Sequence, residues 1–74
     1  MSAEIWVWVE VEPDGREGTI AAQLIPGGPV LTLQHRNRKI AETMRRSAEL
    51  HKRRSGRPVR LVRYVRAETV EELP

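Results

Sequence analysis

The chain has 74 residues, 39% hydrophobic and 31% charged, with no cysteine and no phenylalanine, a length that fits one small domain and not a catalytic domain joined to a regulatory one. These numbers exclude a disulfide scaffold, a thiol nucleophile and a cysteine-ligated zinc, and no apolar run approaches the roughly 20 residues of a membrane span. The net charge of +3 hides a segregation, with residues 1–31 at −4, 32–66 at +10 and 67–74 at −3, so the middle of the chain attracts polyanions or an acidic protein.

In chain order, Met1-Ser2-Ala3-Glu4 lacks the basic opening of a signal peptide, and the default expectation is a cytoplasmic protein. Residues 4–12 then alternate without a break. Ile5, Val7, Val9 and Val11 fall on one side, and Glu4, Trp6, Trp8, Glu10 and Glu12 on the other. Period two in β-branched and aromatic residues predicts a strand. Pro13-Asp14-Gly15 supplies turn chemistry. A second alternation over 17–24 sets Gly18, Ile20, Ala22 and Leu24 against Glu17, Thr19, Ala21 and Gln23, which closes a hairpin with coincident aliphatic faces.

Pro26-Gly27-Gly28-Pro29 is a hard break. Thr32 is the expected N-cap of a helix running to about Arg54, with Gly56 at its stop and Pro58 beyond. At 100° per residue, Leu33, Ile40, Ala41, Met44, Ala48 and His51 share an apolar arc. The far side holds Arg38, Lys39, Glu42, Arg45, Arg46, Glu49, Lys52 and Arg53, with Glu42–Arg46 and Glu49–Arg53 at the favourable i,i+4 spacing. Bases crowding the last turn suit the helix dipole. Residues 59–66 read as a third strand. Val59, Leu61, Arg63 and Val65 are expected inward, and Arg60, Val62, Tyr64 and Arg66 outward.

The expected fold is therefore α+β: a ββαβ domain over 1–66, with a three-stranded sheet in order 2-1-3 and one helix on one face. The crossover is right-handed and returns the last strand parallel to the second. Residues 67–74 form an acidic tail, as a helical turn or without order. A domain this small buries only about 60% of the surface its unfolded chain exposes, which favours self-association.

Catalytic chemistry finds little support. His35 and His51 fall at opposite ends of the expected helix, about 24 Å apart, too far to share a metal or a proton relay. Ser2, Ser47 and Ser55 have no evident base and no nucleophile-elbow context. Gly27-Gly28 is not a phosphate loop, because no Gly-Lys-Ser/Thr follows and the flanking prolines remove donors. No catalytic residue, metal ligand or cofactor is assigned, and the chain is expected not to be an enzyme.

Binding surfaces carry more. With one helix on the aliphatic face, Trp6 and Trp8 stand on the open face, flanked by Tyr64, and that aromatic face is expected to bury itself in a homodimer or to dock another protein. It could also stack single-stranded bases, though Glu4, Glu10 and Glu12 repel phosphate there. Arg38, Arg45, Arg46, Lys52, Arg53, Arg54 and Arg57 form a basic stripe that two acids only partly offset, suited to the phosphates of a nucleic acid. Eleven of the thirteen bases are arginine, which fits a GC-rich genome as well as phosphate recognition. The Trp-Val-Trp-Val-Glu-Val opening, the Pro-Asp-Gly-x-Glu-Gly turn and the Arg-Pro-Val-Arg-Leu-Val-Arg-Tyr strand resemble small uncharacterised proteins of actinobacteria and their bacteriophages. The resemblance spans most of the chain and implies an intracellular accessory or host-interaction protein, with no functional residue to carry over. The expectation is a small basic binding protein acting on nucleic acid or, alternatively, an adaptor or inhibitor of a host protein.

Overall fold

The computed structural model describes residues 3–23 and 25–74; the readings made at Met1, Ser2 and Leu24 lie outside that range. The chain is an α+β protein with a multi-stranded antiparallel sheet and helices. Strand β1 (Glu4–Val11) takes the period-two segment and sits between two neighbours. Along one edge β6 (Val59–Val65) pairs antiparallel over seven positions, from Glu4↔Val65 to Glu10↔Val59. Along the other, β2 (Glu17–Thr19) pairs through Val9↔Thr19 to Val11↔Glu17. The turn between β1 and β2 is a three-residue loop. The Gly15 N–H donates to the Glu12 carbonyl at 2.8 Å, Gly15 takes φ +87°, and the Asp14 carboxylate accepts from the Arg16 N–H. That is the Pro-first, positive-φ-last pattern of a type I turn closed by a bulge.

The expected second strand over 17–24 does not continue. After Thr19 the chain leaves the edge of β1 and becomes β3 (Ala21–Gln23), which pairs with β4 (Val30–Thr32) in a separate two-stranded ribbon. Leu33 fills the fork, accepting from the Trp8 N–H at 2.9 Å and donating to the Ile20 carbonyl at 2.8 Å. β5 (Gln34–His35) then resumes the ladder on the vacated edge through Val7↔Gln34 and Trp6↔His35. The Pro-Gly-Gly-Pro break is thus the tip of a hairpin. The Gly28 N–H donates to the Ile25 carbonyl across Pro26 and Gly27, and Gly27 takes φ +76°, as a type II turn demands.

Residues 32–37 are accordingly not helical, which corrects the expected helix start. Asn37, not Thr32, caps α1 (Arg38–Thr43) by accepting from the Lys39 N–H. A break at Met44 separates α1 from α2 (Arg45–Ser55), which ends at Gly56 in the left-handed region at φ +71°. The expected single helix is therefore two, and the three-stranded ββαβ arrangement gains a fourth strand in the main sheet and a separate ribbon.

The largest correction concerns which face of β1 the helices cover. They lie on the tryptophan side. Trp8 is 6% exposed and forms the core with Ile20, Leu33 and Ala48, backed by Met44, Val59 and Leu61. Its indole N–H donates to the Ala41 carbonyl at 2.7 Å, a second bond to an oxygen that also accepts from the Met44 N–H at 3.1 Å at the end of α1. Only alanines, Ala41 and Ala48, are fully buried on the helices, so the backbones approach the indole closely. Burying Trp8 removes more apolar area than burying a valine. Val7 and Val9 are buried on the opposite face, beside Val62 and Arg60 of β6. Ile40, expected in the core, is 42% exposed, while Met44 is half-buried.

Candidate nucleic-acid interface

The basic stripe follows from the way α2 is anchored. Ala48 is the fully buried residue of α2, and at 100° per residue Arg46 and Arg53 project roughly opposite to it. Lys52 and Arg45 stand on the flank toward β6, and Arg54 on the flank toward the β3–β4 ribbon. All five side chains are exposed, and none has a carboxylate within ion-pair distance among the described residues. The net charge over Arg45–Ser55 is +4, from five bases and Glu49.

The remaining stripe residues are less free. Arg38 lies on α1 and binds Glu42 at 3.0 Å, which replaces the expected Glu42–Arg46 pair. Glu49 and Arg53 are also not paired. Arg57 follows Gly56 and reaches Glu10 at 3.4 Å. Arg45 holds its guanidinium 5.5 Å from the centroid of the Trp8 ring, a cation–π distance. The anchored stem leaves that charge at the rim of a depression of ≈ 150 Å³ between Trp8, Lys52 and Val59. A volume so small is below that of ordinary small-molecule sites.

Trp6, Trp8 and Tyr64 are not brought together. Trp8 is core, Trp6 is half-buried on the same side, and Tyr64 pairs with Ile5 and so belongs to the opposite face. The aromatic self-association face expected from the sequence is therefore dismantled, because the helices occupy the side on which the indoles stand. The inward set of β6 is as expected for Val59 and Leu61, which pack on the core. Arg63, one step farther, reaches Glu4 at 3.6 Å.

One grouping was missed in the sequence. The β3–β4 ribbon and α2 enclose an open cleft of ≈ 690 Å³ lined in part by Ala22, Val30, Ser47, Leu50, His51 and Arg54. Ser47 and His51 are one turn apart, and His51 Nε2 is 3.6 Å from Glu10 Oε2 and has no hydrogen-bond partner. That gap is too long for a hydrogen bond, so no serine–histidine–carboxylate relay is assembled. The i,i+4 spacing of Ser47 and His51 was legible; the approach of Glu10 from β1 was not. His35 sits on β5 rather than on a helix, with Nδ1 accepting from the Asn37 N–H, so the expected helical separation of the two histidines does not apply.

No group of three or more histidine, aspartate or glutamate side chains able to hold a metal occurs among the described residues. Among them also, no helix is long and apolar enough to cross a membrane. Compared with protein families, curated proteins and solved structures, the chain matches none.

Proposed function

We propose that the protein is a small basic nucleic-acid-binding protein without enzymatic activity, whose α2 lies along a phosphate backbone. The observation that carries this reading is the set Arg45, Arg46, Lys52, Arg53 and Arg54, exposed on one short helix with no carboxylate partner among the described residues. Eleven residues make a helix about 16 Å long, equal to about five base-pair rises of a duplex. Arginine and lysine there contact phosphate, the contacts that position a protein on the duplex and supply most of its affinity. Binding is thus strongly dependent on salt.

The test is a mobility-shift titration with single- and double-stranded DNA and RNA at two salt concentrations. Replacing Arg45, Arg46, Lys52 and Arg53 together by Gln weakens binding at low salt and flattens the log–log salt slope by about 0.9 for each lost duplex contact. No wild-type binding near 150 mM salt overturns the proposal. A second reading, an adaptor that binds a host protein, is favoured by the exposed Val30 and Leu50 that line the ribbon–α2 cleft. It predicts that a Val30→Asp, Leu50→Asp double variant abolishes partner capture and leaves nucleic-acid binding untouched.

A further inference from the structure

We infer that the free edge of β6 is the seam of a homodimer, pairing antiparallel with β6 of a second copy about a two-fold axis at Val62. The direction of the backbone groups on β6 follows from its ladder with β1. The Val11 N–H donates to the Pro58 carbonyl at 2.8 Å, and the Arg66 N–H to the Ala3 carbonyl at 3.0 Å. Both pairs extend the register that sets Val7 against Val62. Because hydrogen-bonded pairs alternate in an antiparallel ladder, Arg60, Val62 and Tyr64 bond toward β1. Val59, Leu61, Arg63 and Val65 therefore turn their N–H and C=O groups outward. Among the described residues no other strand meets them, and β6 pairs with β1.

Two of the usual devices that blunt an open edge are missing from the strand. The seven residues contain no proline, and the unbroken register leaves no bulge, two of the devices that normally protect an open edge. The arginines are the third device, and their placement selects the register. With the axis at Val62, Val59 meets the partner's Val65 and Leu61 meets the partner's Arg63, so every outward-facing residue is used. On the other face Arg60 meets the partner's Tyr64, a cross-strand cation–aromatic pair, and Val62 meets the partner's Val62. Moving the axis to Arg63 sets that arginine against itself and Arg60 against the partner's Arg66. Moving it to Leu61 leaves Val65 unmatched. The edge is thus complementary to itself in one register, which argues for a second copy over an unrelated strand. The contact is isologous and closes at two chains. It covers Tyr64 and Val65, each 46% exposed in the single chain. The inference is independent of what α2 binds.

The chain has no cysteine, so a single introduced thiol reports the register. Across a non-hydrogen-bonded pair the Val62 Cα atoms lie about 4.5 Å apart, within disulfide reach. Val62→Cys therefore oxidises to a covalent dimer. Arg60→Cys does not, its two copies being offset by four residues along the strand, about 13 Å. Light scattering gives a wild-type dimer at tens of micromolar. Arg63→Pro gives a monomer with an unchanged far-ultraviolet spectrum, because the N–H it removes faces away from β1. A monomeric wild type at 100 µM, or equal crosslinking at positions 60 and 62, overturns the inference. Should Arg63→Pro unfold, the contrast between the two cysteine variants still decides it.

Discussion

Trp8→Ala removes the centre of the core and the donor that reaches Ala41 at 2.7 Å. An aromatic-to-alanine change in a packed core costs about 3–5 kcal/mol, which approaches the total stability of a domain this size, roughly 4–11 kcal/mol. Trp8→Phe keeps most of the area and loses the hydrogen bond, at about 1 kcal/mol. Trp6, only half-buried, costs less than half as much as Trp8 on truncation. Urea denaturation of the three variants gives this order; equal losses at Trp6 and Trp8 would contradict the covered face. The same reasoning separates Ile40 from Ala41. Ile40→Asp costs only about 1 kcal/mol because at 42% exposure the carboxylate can stay in water, whereas Ala41→Asp forces an unpaired carboxylate against the indole and unfolds the domain. A thermal melt of the two variants distinguishes them directly.

The helices depend on their ends more than on their interiors. α1 has six residues and α2 eleven, short enough that neither is stable without capping and packing. Asn37→Ala removes the acceptor for the Lys39 N–H and costs about 1 kcal/mol. Gly56→Ala puts a Cβ on a residue at φ +71° in open space, so the loss, also about 1 kcal/mol, is backbone strain and not a clash. Both losses are read as lowered midpoints by circular dichroism, with spectra unchanged below the transition. The ribbon β3–β4 was hidden because Val30-Leu31-Thr32-Leu33-Gln34-His35 satisfies a helix start and a strand alternation equally. The type II turn at Ile25–Gly28 and the pairing of β5 with β1 decide between them.

Charge is organised over the entire chain. The acids of β1 are met at both ends of the sheet, Glu4 by Arg63 and Glu10 by Arg57, and the five bases of α2 are the largest group without a carboxylate partner among the described residues. Residues 67–74 carry three glutamates, adopt no regular element and are exposed throughout. Removing them raises the net charge from +3 to +6, leaves the urea midpoint unchanged and strengthens polyanion binding at low salt. A lower midpoint would show that the tail contributes to the fold.

Local chemistry was enough for β1, the Pro-Asp-Gly hairpin, the stop at Gly56 and the extended β6, since alternation, turn residues and a positive φ act over a few neighbouring positions. The bases of α2 were legible for the same reason: charge is written in the residue type. The covered face of β1 was not legible. Alternation states that two faces differ and does not state which one a helix will choose. That choice rests on the fit of the Trp8 indole beneath two alanines 33 and 40 positions away. With it went the fate of Trp6 and Tyr64, the fork at Leu33 and the free edge of β6, all fixed by contacts between segments distant in the chain.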